Sequence, residues 1–311
     1  MTLAAAVIGL ILPVVLGLLC GVAGLFEDPD AAVNHLNRFA LYVPFPALIV
    51  AALGKDSAPL PHSVAFWLLV PLTVGAALVP LKAVGDRLGG LGGTMALVTV
   101  FGNVAYLGLP FLQAVRGDAV MSTAGLLVGM YIFLSMLFGP LLLRVWSGEG
   151  GRDAFVTSAR KVVRQPLAWS PIVGGLLRLL PDALRLGVVD AVMPVGRAAG
   201  PVALFLLGLY LHTHGRKLRQ VDVALVAHLG VKMVWLPLVT GAGVWIGLRF
   251  GLDVEAARCA LLLASMPPAI TTFAIARDAD IGADRVAQSI VAGTLLSAVT
   301  LPLTAAWVAS W

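Results

Sequence analysis

Two stretches of the chain place polar side chains and helix breakers together inside apolar sequence. One is Phe101-Gly102-Asn103-Val104-Ala105-Tyr106-Leu107-Gly108-Leu109-Pro110, and the other is Ser265-Met266-Pro267-Pro268-Ala269-Ile270-Thr271-Thr272-Phe273. Proline removes a backbone donor and clashes with the carbonyl four residues back, so Pro267-Pro268 predicts an outright helix break. Within a bilayer such a break is tolerated only where protein or a cavity surrounds the freed N–H and C=O groups. A half-helix N-terminus then offers N–H donors and partial positive charge, a seat for a carboxylate. Asn103 adds an amide, Tyr106 a phenol, and Thr271 and Thr272 hydroxyls. The expected anion-binding set is Asn103, Tyr106, Pro267, Pro268, Ala269, Ile270, Thr271 and Thr272. Gly102, Asn103, Gly108, Pro110, Pro267 and Pro268 are expected to form the crossing of the two breaks. Proline also kinks membrane helices without binding anything, but two breaks at matching places favour a site.

The charged residues narrow the chemistry. All sixteen acids, from Glu27 to Asp284, fall in links or at the ends of apolar runs. No carboxylate lies mid-run to serve as a proton relay or to anchor sodium, so a carrier holding an anion with neutral donors is the simpler reading. Export of such an anion can be driven by the membrane potential, at ~2.3 kcal/mol per charge per 100 mV. Lys232 is the exception, roughly 15 Å along its run from Asp222 at the helical rise. It either balances the anion, donates to carbonyls freed at the crossing, or snorkels to the surface. His228 precedes it by one turn and is either a proton partner or an interfacial histidine. His35, His62, His212 and His214 lie near water. Arg197 reads as snorkelling outward, with attraction of anions as the alternative. Cys20 and Cys259 read as small core residues, and no metal-ligand or catalytic spacing is present. An enzyme is therefore excluded, and no cofactor is expected.

These residues sit in an overwhelmingly apolar chain. Of 311 residues, 59% are hydrophobic and 12% charged, and the mean hydropathy is +0.97. No water-soluble fold of this length buries that much apolar surface, which excludes a soluble enzyme, a nucleic-acid binder and a disordered scaffold. Apolar runs near 2–26, 36–54, 63–81, 92–115, 120–144, 162–181, 188–211, 223–248, 256–276 and 286–309 predict ten membrane helices, here called spans 1 to 10. The first run lacks a basic region and is too long for a signal sequence, so no cleavable leader is expected. Thirteen basic residues fall on one side of the membrane and seven on the other when the N-terminus is placed outside. Both termini are thus expected on the outer face of an inner (plasma) membrane.

The two halves resemble each other. Pro13 in span 1 parallels Pro171 in span 6, Pro46 in span 2 parallels Pro201 in span 7, and Pro140 in span 5 parallels Pro302 in span 10. The two breaks fall in spans 4 and 9. Residues 1–150 and 151–311 thus read as two five-helix repeats, and an odd number of spans inverts the second. Inverted repeats place a substrate site near the bilayer midplane.

At Asn103-Val104-Ala105-Tyr106-Leu107-Gly108-Leu109-Pro110 and Met266-Pro267-Pro268-Ala269-Ile270-Thr271-Thr272-Phe273-Ala274-Ile275-Ala276 the chain resembles the auxin efflux carrier family. Tyr42-Val43-Pro44-Phe45-Pro46-Ala47-Leu48-Ile49 and Lys232-Met233-Val234-Trp235-Leu236-Pro237 support the match. That family includes the plant PIN-FORMED carriers and bacterial relatives associated with malonate or other carboxylates. The resemblance implies an all-α polytopic membrane protein of ten helices in two inverted repeats. Spans 1, 2, 6 and 7 would form a scaffold that also makes a homodimer. Spans 3–5 and 8–10 would form a transport domain moving as an elevator, with spans 4 and 9 crossing at their breaks and Asn103 contacting the substrate carboxylate. The link 145–165 is too short for the long phosphorylated loop of plant members. The expected function is secondary transport of a small organic anion. Two alternatives stay open: a sodium- or proton-coupled symporter of the bile-acid-transporter type, and a non-transporting membrane sensor.

Overall fold

The computed structural model describes residues 3–55, 61–146, 163–215 and 221–310, together with Val156 and Arg160. Three of the sixteen acids (Asp56, Glu149 and Asp153) and five of the thirteen basic residues counted on one side (Arg152, Lys161, Arg216, Lys217 and Arg219) lie outside that set. Among the described residues the regular structure is helical, apart from one isolated backbone bridge. Every apolar run falls on helix. In chain order these are α1 (Leu3–Val22), α2 (Pro29–Tyr42), α3 (Pro44–Lys55), α4 (Val64–Leu78), α5 (Leu81–Arg87), α6 (Gly92–Val100), α7 (Leu109–Arg116), α8 (Met121–Trp146), α9 (Pro166–Leu177), α10 (Asp182–Arg197), α11 (Ala199–His214), α12 (Val223–Gly230), α13 (Leu236–Arg249), α14 (Val254–Ala264), α15 (Thr271–Asp278) and α16 (Ala283–Ala309).

The chain is a polytopic membrane protein. Six helical stretches among the described residues are long and apolar enough to cross a bilayer: Pro29–Lys55, Val64–Arg87, Asp118–Trp146, Asp182–His214, Val223–Arg249 and Ala283–Ala309. Ile11–Val22 and Pro166–Leu177 are shorter apolar helices. Spans 4 and 9 fall short because each is divided, α6 from α7 and α14 from α15, and neither half has the ~20 residues a crossing needs.

One acid departs from the expected placement, since the exposed Asp190 lies midway along α10; three others sit at helix starts for a local reason. Asp28, Asp222 and Asp253 are N-caps, accepting from the N–H groups of Ala31 (2.9 Å), Leu225 (2.8 Å) and Ala256 (3.0 Å). A carboxylate there satisfies a first-turn donor and meets the positive end of the helix.

The helices cluster into two compact units, each drawing from both halves of the sequence. The first comprises Met1–Leu60, Ala105–Gly129 and Val163–Arg216. In it α1 packs on α11 with almost no side chain between them. A Cβ on Gly17 would stand 2.0 Å from the Phe205 carbonyl oxygen, and one on Gly208 1.9 Å from that of Val14. Without a hydrophobic drive between helices in lipid, such small-residue contacts are how membrane helices gain packing energy. Arg185 is buried in this unit, donating to the Gly54 carbonyl (3.1 Å) and to Asp182 (2.7 Å). His214, placed near water by the sequence, is also buried, stacked on Tyr210.

The second unit comprises Pro61–Val104, Met130–Val162 and Lys217–Trp311. It contains α4 to α6, most of α8, and α12 to α16. In it α4 packs against α13, and α6 lies against α4, α12 and α15. Both helix breaks meet inside this unit.

Candidate functional site at the helix crossing

α6 stops at Val100 and α14 at Ala264, and the two broken segments pass each other as a short antiparallel bridge between Gly102 and Pro268. The Asn103 N–H donates to the Pro267 carbonyl (2.8 Å), and the Ala269 N–H donates to the Phe101 carbonyl (2.9 Å). Each break therefore satisfies groups freed by the other. The carbonyl of Val100, at the end of α6, accepts from Ser135 Oγ on α8 (2.6 Å). A lipid environment requires this pairing. Ser135 carries no motif in the sequence and was not among the expected site residues. The Phe101 ring fills the space over Gly139, where a Cβ would fall 2.2 Å from Cε2. On the opposite strand of the crossing, Gly293 of α16 lies against the Pro268 ring.

Asn103 is buried, and its Nδ2 has no hydrogen-bond partner among the described residues. The same holds for Nζ of Lys232, whose relative exposure is 0%. Lys232 lies in a π-turn, Val231–Trp235, between α12 and α13. Its ammonium packs directly on the crossing: a Cβ built on Gly102 would meet Nζ at 2.7 Å and Cε at 3.3 Å. Snorkelling is thereby excluded, because the side chain runs into the protein. It donates to no freed carbonyl either. Thr294, next to Gly293 on α16, carries a third buried polar atom without a partner, Oγ1. Among the described residues no acid is buried, so none of them shares the interior with Lys232.

His228 is fully buried rather than interfacial. Nδ1 lies 2.6 Å from the Ala224 carbonyl, and Nε2 lies 2.9 Å from Thr94 Oγ1 on α6. A carbonyl only accepts, so Nδ1 carries the proton. Thr94 Oγ1 also lies 3.0 Å from the Leu91 carbonyl. The threonine hydroxyl has one proton for two acceptors, unless the histidine is itself charged and donates from Nε2.

The remaining expected residues are differently placed. The Thr272 hydroxyl turns back to the Ala269 carbonyl (2.5 Å), and the N–H groups of Thr272 and Phe273 bond to Ala269 and Ile270. Ile270 is the N-cap of α15 and Thr271 its first residue, half-buried. Tyr106 belongs to the first unit, where its ring stacks on Phe45 at 5.1 Å and its hydroxyl is taken by the Asn37 side chain (2.5 Å) and carbonyl (3.0 Å). Gly108 ends a π-turn, Val104–Gly108, and Pro110 starts α7. Neither takes part in the bridge hydrogen bonds, which run from Phe101 to Asn103 and from Pro267 to Ala269. Among the described residues no cluster of metal-ligating side chains occurs.

The crossing thus holds two buried donors without partners among the described residues, and comparison with known proteins identifies the family of the chain. Residues 2–150 and 152–305 match the membrane transport protein family. The chain belongs to that family. The resemblance to auxin efflux carriers is therefore one of membership, and the protein is a transporter rather than an enzyme. A relative described as "Uncharacterized transporter" from Methanothermobacter thermautotrophicus is 27% identical over 306 residues, covering 96% of this chain and 95% of its own. Another, from Rhizobium meliloti and described as "Putative malonate transporter", is 25% identical over 309 residues, covering 96% and 94%.

Proposed function

We propose that the transporter is a secondary carrier of small organic anions, with carboxylates as its substrate class. The observation that carries this reading is the pair of buried, unpartnered donors at the crossing, Asn103 Nδ2 and Lys232 Nζ. An unpaired buried donor costs roughly 1–3 kcal/mol, and more when charged. A bound carboxylate relieves both, and the positive sign at Lys232 selects an anion. A relative bearing the name of a malonate transporter agrees with that class.

In this reading spans 4 and 9 hold the carboxylate at their breaks, Asn103 fixes its orientation and Lys232 balances its charge. Spans 3–5 and 8–10 carry it across as an elevator, while spans 1, 2, 6 and 7 form the scaffold of a homodimer. One observation favours proton coupling within the same reading. His228 is buried one turn from Lys232, and its Nε2 lies 2.9 Å from Thr94 Oγ1.

The test is uptake of labelled malonate and related carboxylates into proteoliposomes. Asn103→Ala is expected to abolish uptake while the purified protein keeps its helicity and melting behaviour. Uptake equal to wild type would refute the assigned role. An imposed pH gradient, with His228→Gln as the variant, tests the coupling.

A further inference from the structure

The first unit holds a cavity of its own, of about 440 Å³. Apolar residues such as Leu48 and Met193 form part of its wall, but two cations open onto it, Lys55 and Arg197. Both are exposed, and neither has a hydrogen bond or ion pair among the described residues. The one acid lining the cavity, Asp118, is held by the Gln113 amide at 2.8 Å.

Close backbone packing brings the two cations to one space. Lys55 ends α3 and Arg197 ends α10. Between them, a Cβ on Gly196 would stand 2.8 Å from the Leu48 backbone, and one on Gly200 3.3 Å from the Pro110 ring. Larger residues would hold α10 and α11 away from α3 and α7. Arg197 also lies within the apolar stretch Asp182–His214, where α10 and α11 meet, and an ionisable residue within such a span that faces a cavity marks a ligand or ion path.

We propose that Lys55 and Arg197 form a second anion site, distinct from the helix crossing. Two unpaired cations around one roomy cavity suit a group with paired acidic oxygens, and arginine in particular takes a carboxylate or phosphate bidentately. The occupant is either a free dicarboxylate or the phosphate of an acidic lipid headgroup. The site stands without the crossing reading.

The experiment is equilibrium binding of labelled malonate to the full chain in nanodiscs, first of phosphatidylcholine and then with phosphatidylglycerol added. Wild type, Lys55→Gln/Arg197→Gln, Lys55→Arg/Arg197→Lys and Asn103→Ala are compared, with helicity and melting recorded for each. Wild type is expected to show two classes of binding. The Gln pair weakens one class about tenfold or more, the charge-conserving pair keeps it, and Asn103→Ala leaves it intact while removing the other. If a headgroup is the occupant, phosphatidylglycerol displaces malonate from this class in wild type and stays bound in native mass spectrometry, but does neither with the Gln pair. Should the double variant fold poorly, Lys55→Gln and Arg197→Gln singly are expected to show intermediate losses. The proposal is overturned if the Gln pair binds malonate and retains phosphatidylglycerol as wild type does, or if the charge-conserving pair loses as much as the Gln pair. If Asn103→Ala changes nothing while the Gln pair abolishes binding, the crossing reading fails and this one stands.

Discussion

Replacing Lys232 by methionine separates a functional cation from a structural one. The side chain is fully buried, and its Nζ touches the crossing at Gly102 with no hydrogen-bond partner among the described residues. A buried ion keeps an effective desolvation penalty of several kcal/mol even after relaxation, and here no protein group offsets it. Methionine has a similar unbranched reach and fills irregular space well. Lys232→Met should therefore keep the packing of the stem and remove the uncompensated charge. The expected result without substrate is a gain in stability of about 2 kcal/mol, read as a higher melting temperature of the purified protein. The effect on the anion has the opposite sign. Removing one partner of a buried charge pair costs about 2–5 kcal/mol of binding, roughly thirty- to several-thousand-fold. Malonate uptake into proteoliposomes should collapse, and malonate should no longer raise the melting temperature. The alanine variant is a poorer probe, since the cavity it leaves costs about 2–5 kcal/mol by itself. A methionine variant that melts below wild type and still transports at the wild-type rate would refute the reasoning and make Lys232 a packing residue.

Asn103→Asp puts a carboxylate in the residue next to Gly102, against which Nζ packs. It should act as a tethered substrate, raising the melting temperature and abolishing malonate uptake. Gly102→Ala introduces a Cβ 2.7 Å from Nζ. The displaced atom is the tip of a flexible chain, so melting should change little while malonate affinity falls several-fold in a binding titration. Ser135→Ala leaves the Val100 carbonyl unpaired in the interior; a loss of about 1–3 kcal/mol is expected in thermal or denaturant unfolding, against almost none for Ser310→Ala, whose hydroxyl is exposed.

The breaks were readable because proline acts locally: Pro267-Pro268 stops α14 whatever surrounds it. Lys232 stood out for a similar reason, as a charge in an apolar run. Helical periodicity put His228 and Lys232 on one face, but not which way that face turns. Both proved to face the protein, where Thr94 and Gly102 lie more than a hundred residues away in sequence. The register of the crossing was unreadable on the same ground. Which of Phe101 to Pro110 meets Pro267 to Ala269 depends on the packing of separate helices, and it is the first three residues, leaving Gly108 and Pro110 outside. The Tyr106 phenol had a competing partner in Asn37, 69 positions off, that no local pattern signals. Ser135, with no motif around it, was invisible until the carbonyl it serves was located.

That register changes how an anion is to be held. Sequence alone pointed to helix ends, with their free N–H donors and partial charge, as the main seat. At the crossing those backbone groups are largely turned on each other: the Asn103 and Ala269 N–H groups are taken by Pro267 and Phe101, and those of Thr272 and Phe273 by Ala269 and Ile270. At the crossing, the side-chain nitrogens without a partner among the described residues are the Asn103 amide and the Lys232 ammonium. Backbone donors are present whatever the sequence, whereas these two can be exchanged one residue at a time without undoing the crossing that holds the breaks together. In a proposed carrier of this kind, the backbone bridge fixes where the substrate sits, and the choice of anion falls to two replaceable side chains.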